Sequence, residues 1–490
     1  VLLCLTGVLC SFALLSPWRS PFLDSDQSLQ ILMTTYLRLP GDFYFWGQDR
    51  LGSLVPILAH GLYTLFHMSP ALAASLVLYG LVAVLVLVMV RFIPSLSGRI
   101  MLVFLLFFPI HVADNMLKLG HPYAPQYACI AIFIACMYRF KTLVEESSVW
   151  KAALFLFLGI LALDAALWIS EMSIVALLAF AIAVLVAKGS PALLSKQTKA
   201  SVRIFFIYAF LSLVTLGAGL WFIFYAKSQA RAVPTYDQQW LASAGEIRAG
   251  ATTYMESYGN TLLCKNDILT FLYALLFLCL LGNAFYVLCL QIVRSKKAPE
   301  FLSLFLLLNG IGGELLILLS KWVALNHFNS WYQTYPYVSL VLFILLVRER
   351  HPRNKLISGL SLTWVLVAVV SASSIYYFQQ GKDPNQRSLR EMSALNTLAP
   401  CAFIGDYWNS YLLWAANPLT LKAVPYEYPR CPWNVDSVMA SPAIYLVRNN
   451  WLDSFPQQIT LYNHSLRFTH DTLMRSGFYL GKYKEEKLLR

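Results

Sequence analysis

Apolar runs long enough to cross a lipid bilayer recur along this chain, and they limit its fold more than any other feature. A spanning helix needs about 20 apolar residues. Runs of that kind lie near 1–16, 70–90, 100–113, 124–138, 152–167, 172–187, 204–226, 268–292, 301–320, 334–347 and 357–376. The expectation is an α-helical polytopic membrane protein with about 11 transmembrane helices. Composition agrees: of 490 residues 58% are hydrophobic and only 13% are charged, and the mean hydropathy is +0.60. A soluble domain carries about 25% charged residues. This chain cannot cover a water-facing surface with polar groups, so lipid is its solvent. It opens on Val inside the first apolar run, so that span is expected to begin upstream. No small-residue cleavage site follows, which argues against a signal peptide.

The net charge of +12 does not point to nucleic acid, because Lys and Arg sit in short loops between the apolar runs. That distribution orients a membrane protein. The run 51–67 is the hard case. Its apolar residues Leu51, Leu54, Val55, Leu58, Leu62, Leu65 and Phe66 repeat at helical spacing, which suits an amphipathic helix lying in the interface as well as a span. Leu29, Leu32, Met33, Tyr36 and Leu37 form a similar stripe before it. If 51–67 lies flat, loops 91–99, 139–151, 188–203, 294–297 and 348–355 share one side, with about 16 Lys or Arg in roughly 50 residues. Loops 17–50, 114–123, 168–171, 227–266 and 321–333 share the other, with about 9 in roughly 100. The basic set reads as cytoplasmic, and a span at 51–67 would turn every later loop over. Two amphipathic juxtamembrane helices in a long first external loop are therefore expected.

The chain divides accordingly into a transmembrane part, 1–377, and a polar extracytoplasmic part, 378–490. In the second, CAFIG (401–405), LKAV (421–424) and AIYLV (443–447) read as strands, with a helix around 406–415, so a small α/β domain is expected. The nine cysteines show no CxxC pair and no metal spacing. Cys4, Cys10, Cys129, Cys136, Cys279 and Cys289 lie in apolar runs, as packing residues do, and Cys264 falls outside them. Cys401 and Cys431 either pair in an oxidising compartment or stay two buried thiols. Asn463-His464-Ser465 matches a glycosylation sequon.

Ionisable residues are scarce in the membrane part, so their positions carry weight. The densest polar stretch follows the first span: Arg19, then Leu23-Asp24-Ser25-Asp26-Gln27. Carboxylates at the outer surface can take a proton from an attacking hydroxyl. Asp24 and Asp26 together can also hold a divalent cation, Mg or Mn, against a phosphate leaving group. Asp24 with Gln27 has the shape of a capping box, and Asp26 in the first helical turn gains from the helix dipole whatever its role. His121 is a candidate base or ligand, and Glu171 stands at the external end of a span. His327, Asn329, Trp331 and Tyr332 lie in an external loop where they can contact substrate. Phe43, Tyr44, Phe45 and Trp46 either stack on a sugar or belong to an interfacial aromatic belt. The loop 227–266, with Tyr236-Asp237 and Glu246, has the length of a lid. Asp164, in LALDAAL, is the main carboxylate inside a span, either part of a transport pathway or an interhelical hydrogen-bonding group.

The order of these features resembles a known family. Asp26 precedes Gly41-Asp42 by about fifteen residues, then come Arg50-Leu51-Gly52-Ser53, the helix 54–67 and a span, 70–90, ending in a basic loop. This pattern, over roughly residues 1–190, resembles the GT-C membrane glycosyltransferases. Within them it is most similar to bacterial enzymes of the dolichyl-phosphate-mannose/aminoarabinose transferase type. The resemblance implies an enzyme of the inner (plasma) membrane. It would move a sugar from a polyprenyl-phosphate donor to an extracytoplasmic acceptor (glycan, lipid or protein) with inversion. Asp26 inherits the place of the catalytic acid, and Gln27 stands where the family usually has Glu. Lys118-Leu119-Gly120-His121-Pro122 resembles the family's basic-residue-then-Pro stretch, but Tyr123 stands where Asp is frequent, which weakens a metal site shared by both loops. Arg19, Arg50, Lys118 and Lys321 would hold the donor phosphate, although interfacial anchoring is the commoner reason for each taken singly. Two other readings stand beside this one. A transporter or flippase of lipid-linked saccharides would suit Asp164, but the chain shows no paired repeat. A non-catalytic membrane scaffold would suit the loss of Glu at position 27.

Overall fold

The computed structural model describes residues 2–110, 114–187, 199–231, 241–262, 268–295, 300–351, 355–378 and 387–486. Tyr236-Asp237 and Cys264 lie outside the described residues. Every expected apolar run forms a helix. Six helices among the described residues are long and apolar enough to cross a membrane: Pro70–Met89, Tyr123–Glu145, Val149–Ile169, Phe206–Gln229, Ile268–Val293 and Phe301–Leu319. Leu2–Leu15, Leu96–Phe107, Glu171–Val186 and Gly359–Ser374 are shorter apolar helices. The run expected over 100–113 stops at Phe107 because Pro109 has no N–H to continue the ladder and restricts the residue before it. Polar side chains punctuate the turns. Ser69 caps Pro70–Met89 by accepting from Leu72 N, and Ser95 caps Leu96–Phe107 by accepting from Gly98 N.

The helix Thr334–Arg350 forms the middle of the bundle, and Thr334 through Val347 are buried at every position. A helix that is apolar all round belongs in such a place. Its few polar groups are matched across helices: Asn309 Nδ2 donates to Ser339 Oγ at 2.6 Å, Tyr335 OH to Asn309 Oδ1 at 2.7 Å, and Tyr127 OH lies 2.6 Å from Ser339 Oγ. Such bonds specify partners where apolar contact alone does not. At the periphery, Phe206, Phe210, Leu213, Trp221 and Phe224 of the helix Lys199–Gln229 are exposed, as a face turned to lipid requires.

The loops sort into the two groups that the charge count separated. At one end Ser95 Oγ donates to Glu349 at 2.6 Å, Arg348 to Ser97 at 2.8 Å, and Arg350 pairs with Glu300 at 2.8 Å. At the other, Leu51 bridges Ser170, Gly52 N donates to Ile169 O at 3.1 Å, and Ala242 N donates to Leu319 O at 2.9 Å. The helix Leu54–Phe66 has both ends at this second face. Its 13 residues reach only about 20 Å, short of the bilayer core. Leu58, Leu65 and Phe66 are exposed and Val55, Pro56 and Ala59 face inward, the pattern of a helix lying in the interface. The helix Ser25–Tyr36 also forms, but Ser25 and Gln27 through Thr34 are all buried. It is covered on its polar side as well as on the expected stripe.

What covers it is the C-terminal sheet. The strands are β1 (Cys401–Gly405), β2 (Leu421–Pro425), β3 (Ile444–Arg448), β4 (Gln458–Leu461), β5 (His464–Arg475) and β6 (Phe478–Glu485). Their order is β2-β1-β3-β6-β5-β4. β1 runs parallel to β2 and β3, and β6, β5 and β4 extend the sheet antiparallel. Buried on both faces, β1 is the continuous apolar run such a strand needs. The expected strands and the helix after the first are present, and the helix spans Tyr407–Ala415. Cys401 and Cys431 are free, and Cys431 Sγ instead lies 3.9 Å from Tyr411 OH. The sequon Asn463-His464-Ser465 falls at the tight β4–β5 turn, with Tyr462 and Asn463 at positive φ.

Helix Tyr407–Ala415 lies against helix Ser25–Tyr36. Tyr36 OH donates to Pro418 O at 2.5 Å, and Ser25 Oγ donates to Tyr407 O and Trp408 O at 2.7 and 2.8 Å. The aromatic run 43–46 turns out to be neither an exposed belt nor a sugar platform. Tyr44, Phe45 and Trp46 are at most 2% exposed. Trp46 stacks on Trp414 at 6.2 Å and meets Trp433 edge-on at 5.1 Å, while Phe43 packs on Trp168 and Phe222. The belt reading fails because the C-terminal part, through Trp414 and Trp433, and the membrane helices, through Trp168 and Phe222, enclose these rings. Trp414→Ala is therefore expected to lower stability by about 3–5 kcal/mol and to expose the sheet to protease while the membrane helices stay protected. Thermal unfolding and limited proteolysis read both effects.

Candidate active site

The first carboxylate after the opening helix is Asp24. Its carboxylate accepts from Gln27 N at 2.9 Å and caps helix Ser25–Tyr36. The capping box is only half made, because Gln27 Nε2 donates to Phe22 O at 2.8 Å instead of reaching back to Asp24 N. Leu23 on the other side is pinned by the C-terminal part, with Arg387 N donating to Leu23 O at 3.0 Å. Burial, then the charge of Asp26, holds the Asp24 carboxyl up at about 6, against the pull of the Gln27 N–H and of Lys118.

Asp26 stands in the first turn of the same helix and faces two other segments. Tyr407 OH donates to Asp26 Oδ1 at 2.5 Å. Burial, then the Asp26 charge, pushes the Tyr407 phenol well above its usual range, so it remains a donor. Gly120, at φ +84°, brings the second loop against Asp26: a Cβ there would lie 3.0 Å from Asp26 C and 3.1 Å from Asp26 Cβ. Only a residue without a side chain fits that contact. The first loop, the second loop and the sheet thus converge on one carboxylate.

Around Asp26 the sequence candidates fall into groups. Lys118 pairs with Asp114 at 2.7 Å and is near enough to act on Asp24. Burial, then the Lys118 charge, lowers His121 to about 4, so its ring is neutral at physiological pH, and it lies 6.0 Å from Tyr123 and 6.3 Å from Trp331. Glu171 pairs with Lys227, next to the Leu51–Ser170 bridge. Arg50 lies 4.9 Å from the centre of the Trp322 ring, and Lys321 is 3.7 Å from Glu246. Tyr332 packs with the cluster of Ile317, Val323 and Phe328. Arg19 stands apart, 5.1 Å from the Trp18 ring at the end of the first helix. Of the loop 227–266, helix Ala244–Leu262 is described. It is tied down by Ser257 Oγ donating to Phe328 O at 2.7 Å and Tyr254 OH donating to Glu314 at 2.6 Å.

Tyr407 and Arg430 are the residues that sequence reasoning missed. Arg430 lies 5.7 Å from the Tyr407 ring and donates to Gly47 O at 3.0 Å. Gly47 is at φ +74°, and a Cβ there would come within 2.4 Å of Arg430. A signal existed, since Asp406-Tyr407 directly follows β1 and the carboxyl ends of parallel strands are where such sheets place functional groups. Among the described residues no group of three or more His, Cys, Asp or Glu side chains is arranged to hold a metal ion. Asp24 and Asp26 offer two carboxylates, each already accepting a hydrogen bond, and alone they do not make a cage.

No family model matches the sequence, and no curated protein does. Solved structures do. ArnT from Cupriavidus metallidurans bound to undecaprenyl phosphate superposes with a TM-score of 0.54 at 9% identity, over 98% of this chain and 97% of that one. The oligosaccharyltransferase of Archaeoglobus fulgidus tethered with an acceptor peptide gives 0.48 at 12% identity, over 86% of this chain and 63% of that one. The ArnT likeness runs nearly end to end in both chains. This chain is a multi-pass membrane protein with the GT-C fold.

The raised Asp24 has a consequence for stability. A carboxyl whose folded pKa is about 6 instead of 3.8 stabilises the fold fully below pH 3.8, and that contribution is lost as pH rises through about 6. Asp24→Asn keeps the cap and carries no charge. It is expected to match the parent below pH 4 and to exceed it in thermal stability by pH 7, as unfolding temperature against pH will read.

Proposed function

We propose that this protein is a glycosyltransferase that moves a sugar from a polyprenyl-phosphate donor to a hydroxyl-bearing acceptor outside the cytoplasm. The observation that carries the reading is the convergence of the two loops and the sheet on Asp26. The end-to-end likeness to an ArnT with undecaprenyl phosphate bound supports the donor class. The charge count supports the orientation: the basic end faces the cytoplasm, and the carboxylates and the sheet lie outside. The location is the inner (plasma) membrane.

In this reading the donor's hydrocarbon tail lies among the spans, with its phosphate at the level of Lys118, Arg50 and Arg430 and with Arg19 and Lys321 further out. His121, Glu171 and Tyr332 line the approach of the sugar. Asp26 takes the proton of the acceptor hydroxyl as its oxygen bonds to the anomeric carbon. The bond from that carbon to the phosphate oxygen breaks, and polyprenyl phosphate leaves. A single displacement of this kind inverts the configuration. Tyr407 holds the Asp26 carboxylate in place through its hydroxyl, and Asp24 fixes the start of the helix that carries it. No step is routed through a metal ion.

Asp26→Asn is expected to lower transfer by about 10²–10⁴-fold, measured with radiolabelled undecaprenyl-phosphate sugars in proteoliposomes. Tyr407→Phe is expected to slow turnover by less and to leave donor binding unchanged. EDTA separates the two roles of the carboxylates: undiminished activity leaves Asp26 as the base, and loss of activity restored by Mg or Mn would assign a cation to Asp24 and Asp26. Full activity of Asp26→Asn would sink the assignment. Movement of intact lipid-linked sugar across the bilayer, without transfer, would favour a transporter in which Asp164 acts.

A further inference from the structure

A cavity lies at the basic end of the bundle, away from Asp26. Its volume is about 410 Å³. One wall is a single face of helix Tyr123–Glu145, formed by Ile132, Ala135, Cys136 and Arg139 at the i, i+3, i+4, i+7 spacing of one helical stripe. Val88 and Phe155 close it from the neighbouring helices, and Arg91 stands with Arg139 at the loop end. From Arg139 to Ile132 the helix rises about 10 Å, so the apolar wall runs from the loop level into the hydrocarbon region. Trp150, exposed at the start of helix Val149–Ile169, marks the headgroup level on the same side.

We propose that this crevice binds an anionic phospholipid of the leaflet at the basic end, with its phosphate between Arg91 and Arg139 and an acyl chain along Ile132, Ala135 and Val88. The shape is that of such a lipid: an apolar slot capped by two cations on different helices. The charges also fit. The side chain of Arg91 makes no ion pair or hydrogen bond among the described residues. Arg139 is half exposed, with only Glu146 near it at 3.6 Å. Of the other charges at this end, Arg99 donates to Ile93 O and Lys141 lies 3.9 Å from Glu145. A phosphodiester therefore meets two cations and one weakly held competitor. The leaflet is the matching one, because basic pockets between spans on the cytoplasmic side select anionic headgroups. The inference rests on the chain spanning the membrane with its basic end on the cytoplasmic side, and it stands whether or not the glycosyltransferase reading holds.

The test is lipid binding by the purified full chain, read by native mass spectrometry and by thermal shift. The lipids are phosphatidylglycerol, phosphatidylcholine, phosphatidylethanolamine and undecaprenyl phosphate, each added alone. Phosphatidylglycerol is expected to bind and stabilise, and the two zwitterionic lipids are not. Arg91→Ala and Arg139→Ala are each expected to weaken it about five-fold. Ala135→Trp fills the slot at unchanged charge and is expected to abolish binding; the arginine variants, at the surface, carry the test if it does not fold. Equal binding of phosphatidylcholine overturns the proposal, as does undiminished binding by both arginine variants. Arginine-dependent binding of undecaprenyl phosphate in preference to phosphatidylglycerol also overturns it, because the slot is then a second donor site.

Discussion

The burial of helix Ser25–Tyr36 between the interfacial helix Leu54–Phe66 and helix Tyr407–Ala415 is the constraint on which the candidate site rests. A helix opened by two carboxylates is placed where water is partly excluded, so both must be met by partners. Asp24 is met by the Gln27 N–H and Asp26 by the Tyr407 hydroxyl. The contact between chain segments more than 380 residues apart is held by large rings. Trp46, Trp414 and Trp433 supply the apolar area, and Ser25, Tyr36 and Arg430 supply directed bonds to backbone carbonyls. Area gives the affinity and the bonds give the register.

Two glycines set how closely the parts approach. Gly120 allows the second loop to lie on Asp26, and Gly47 allows the first loop to lie on Arg430. Both adopt positive φ, where a side chain would be strained even with space available. The electrostatics follow from that closeness. Burial first, and the neighbouring Asp26 charge second, raise the Asp24 carboxyl. The pair is thus split into one carboxyl that holds its proton near pH 6 and one that faces a phenol donor.

The two ends of the bundle differ in kind. At the site end, loops are long, rich in aromatic rings and cross-braced by short bridges such as Leu51–Ser170 and Leu241–Ser320. At the other end, loops are short and basic, and Glu300 and Glu349 tie Arg350 and Arg348.

Much of this was legible in the sequence because a bilayer imposes simple rules. Span length, helical spacing and the Lys/Arg count gave the helices, their alternation and the flat lie of residues 54–66. The three parallel strands and the helix after the first were legible as short apolar runs broken by turn residues. Asp26 became the candidate through its place behind the first span and through a family resemblance, with Asp24 set apart as a helix cap. The rest depended on contacts between distant segments. That Trp46 is core, that Ser25–Tyr36 is covered on both sides, and that Tyr407 reaches Asp26 all follow from where the C-terminal part docks. β4 is only four residues long and β5 is largely exposed without regular alternation, so these strands are not read without their neighbours. Sequence determines which segments leave water; only the tertiary structure decides which buried surfaces meet, because apolar area carries no address of its own.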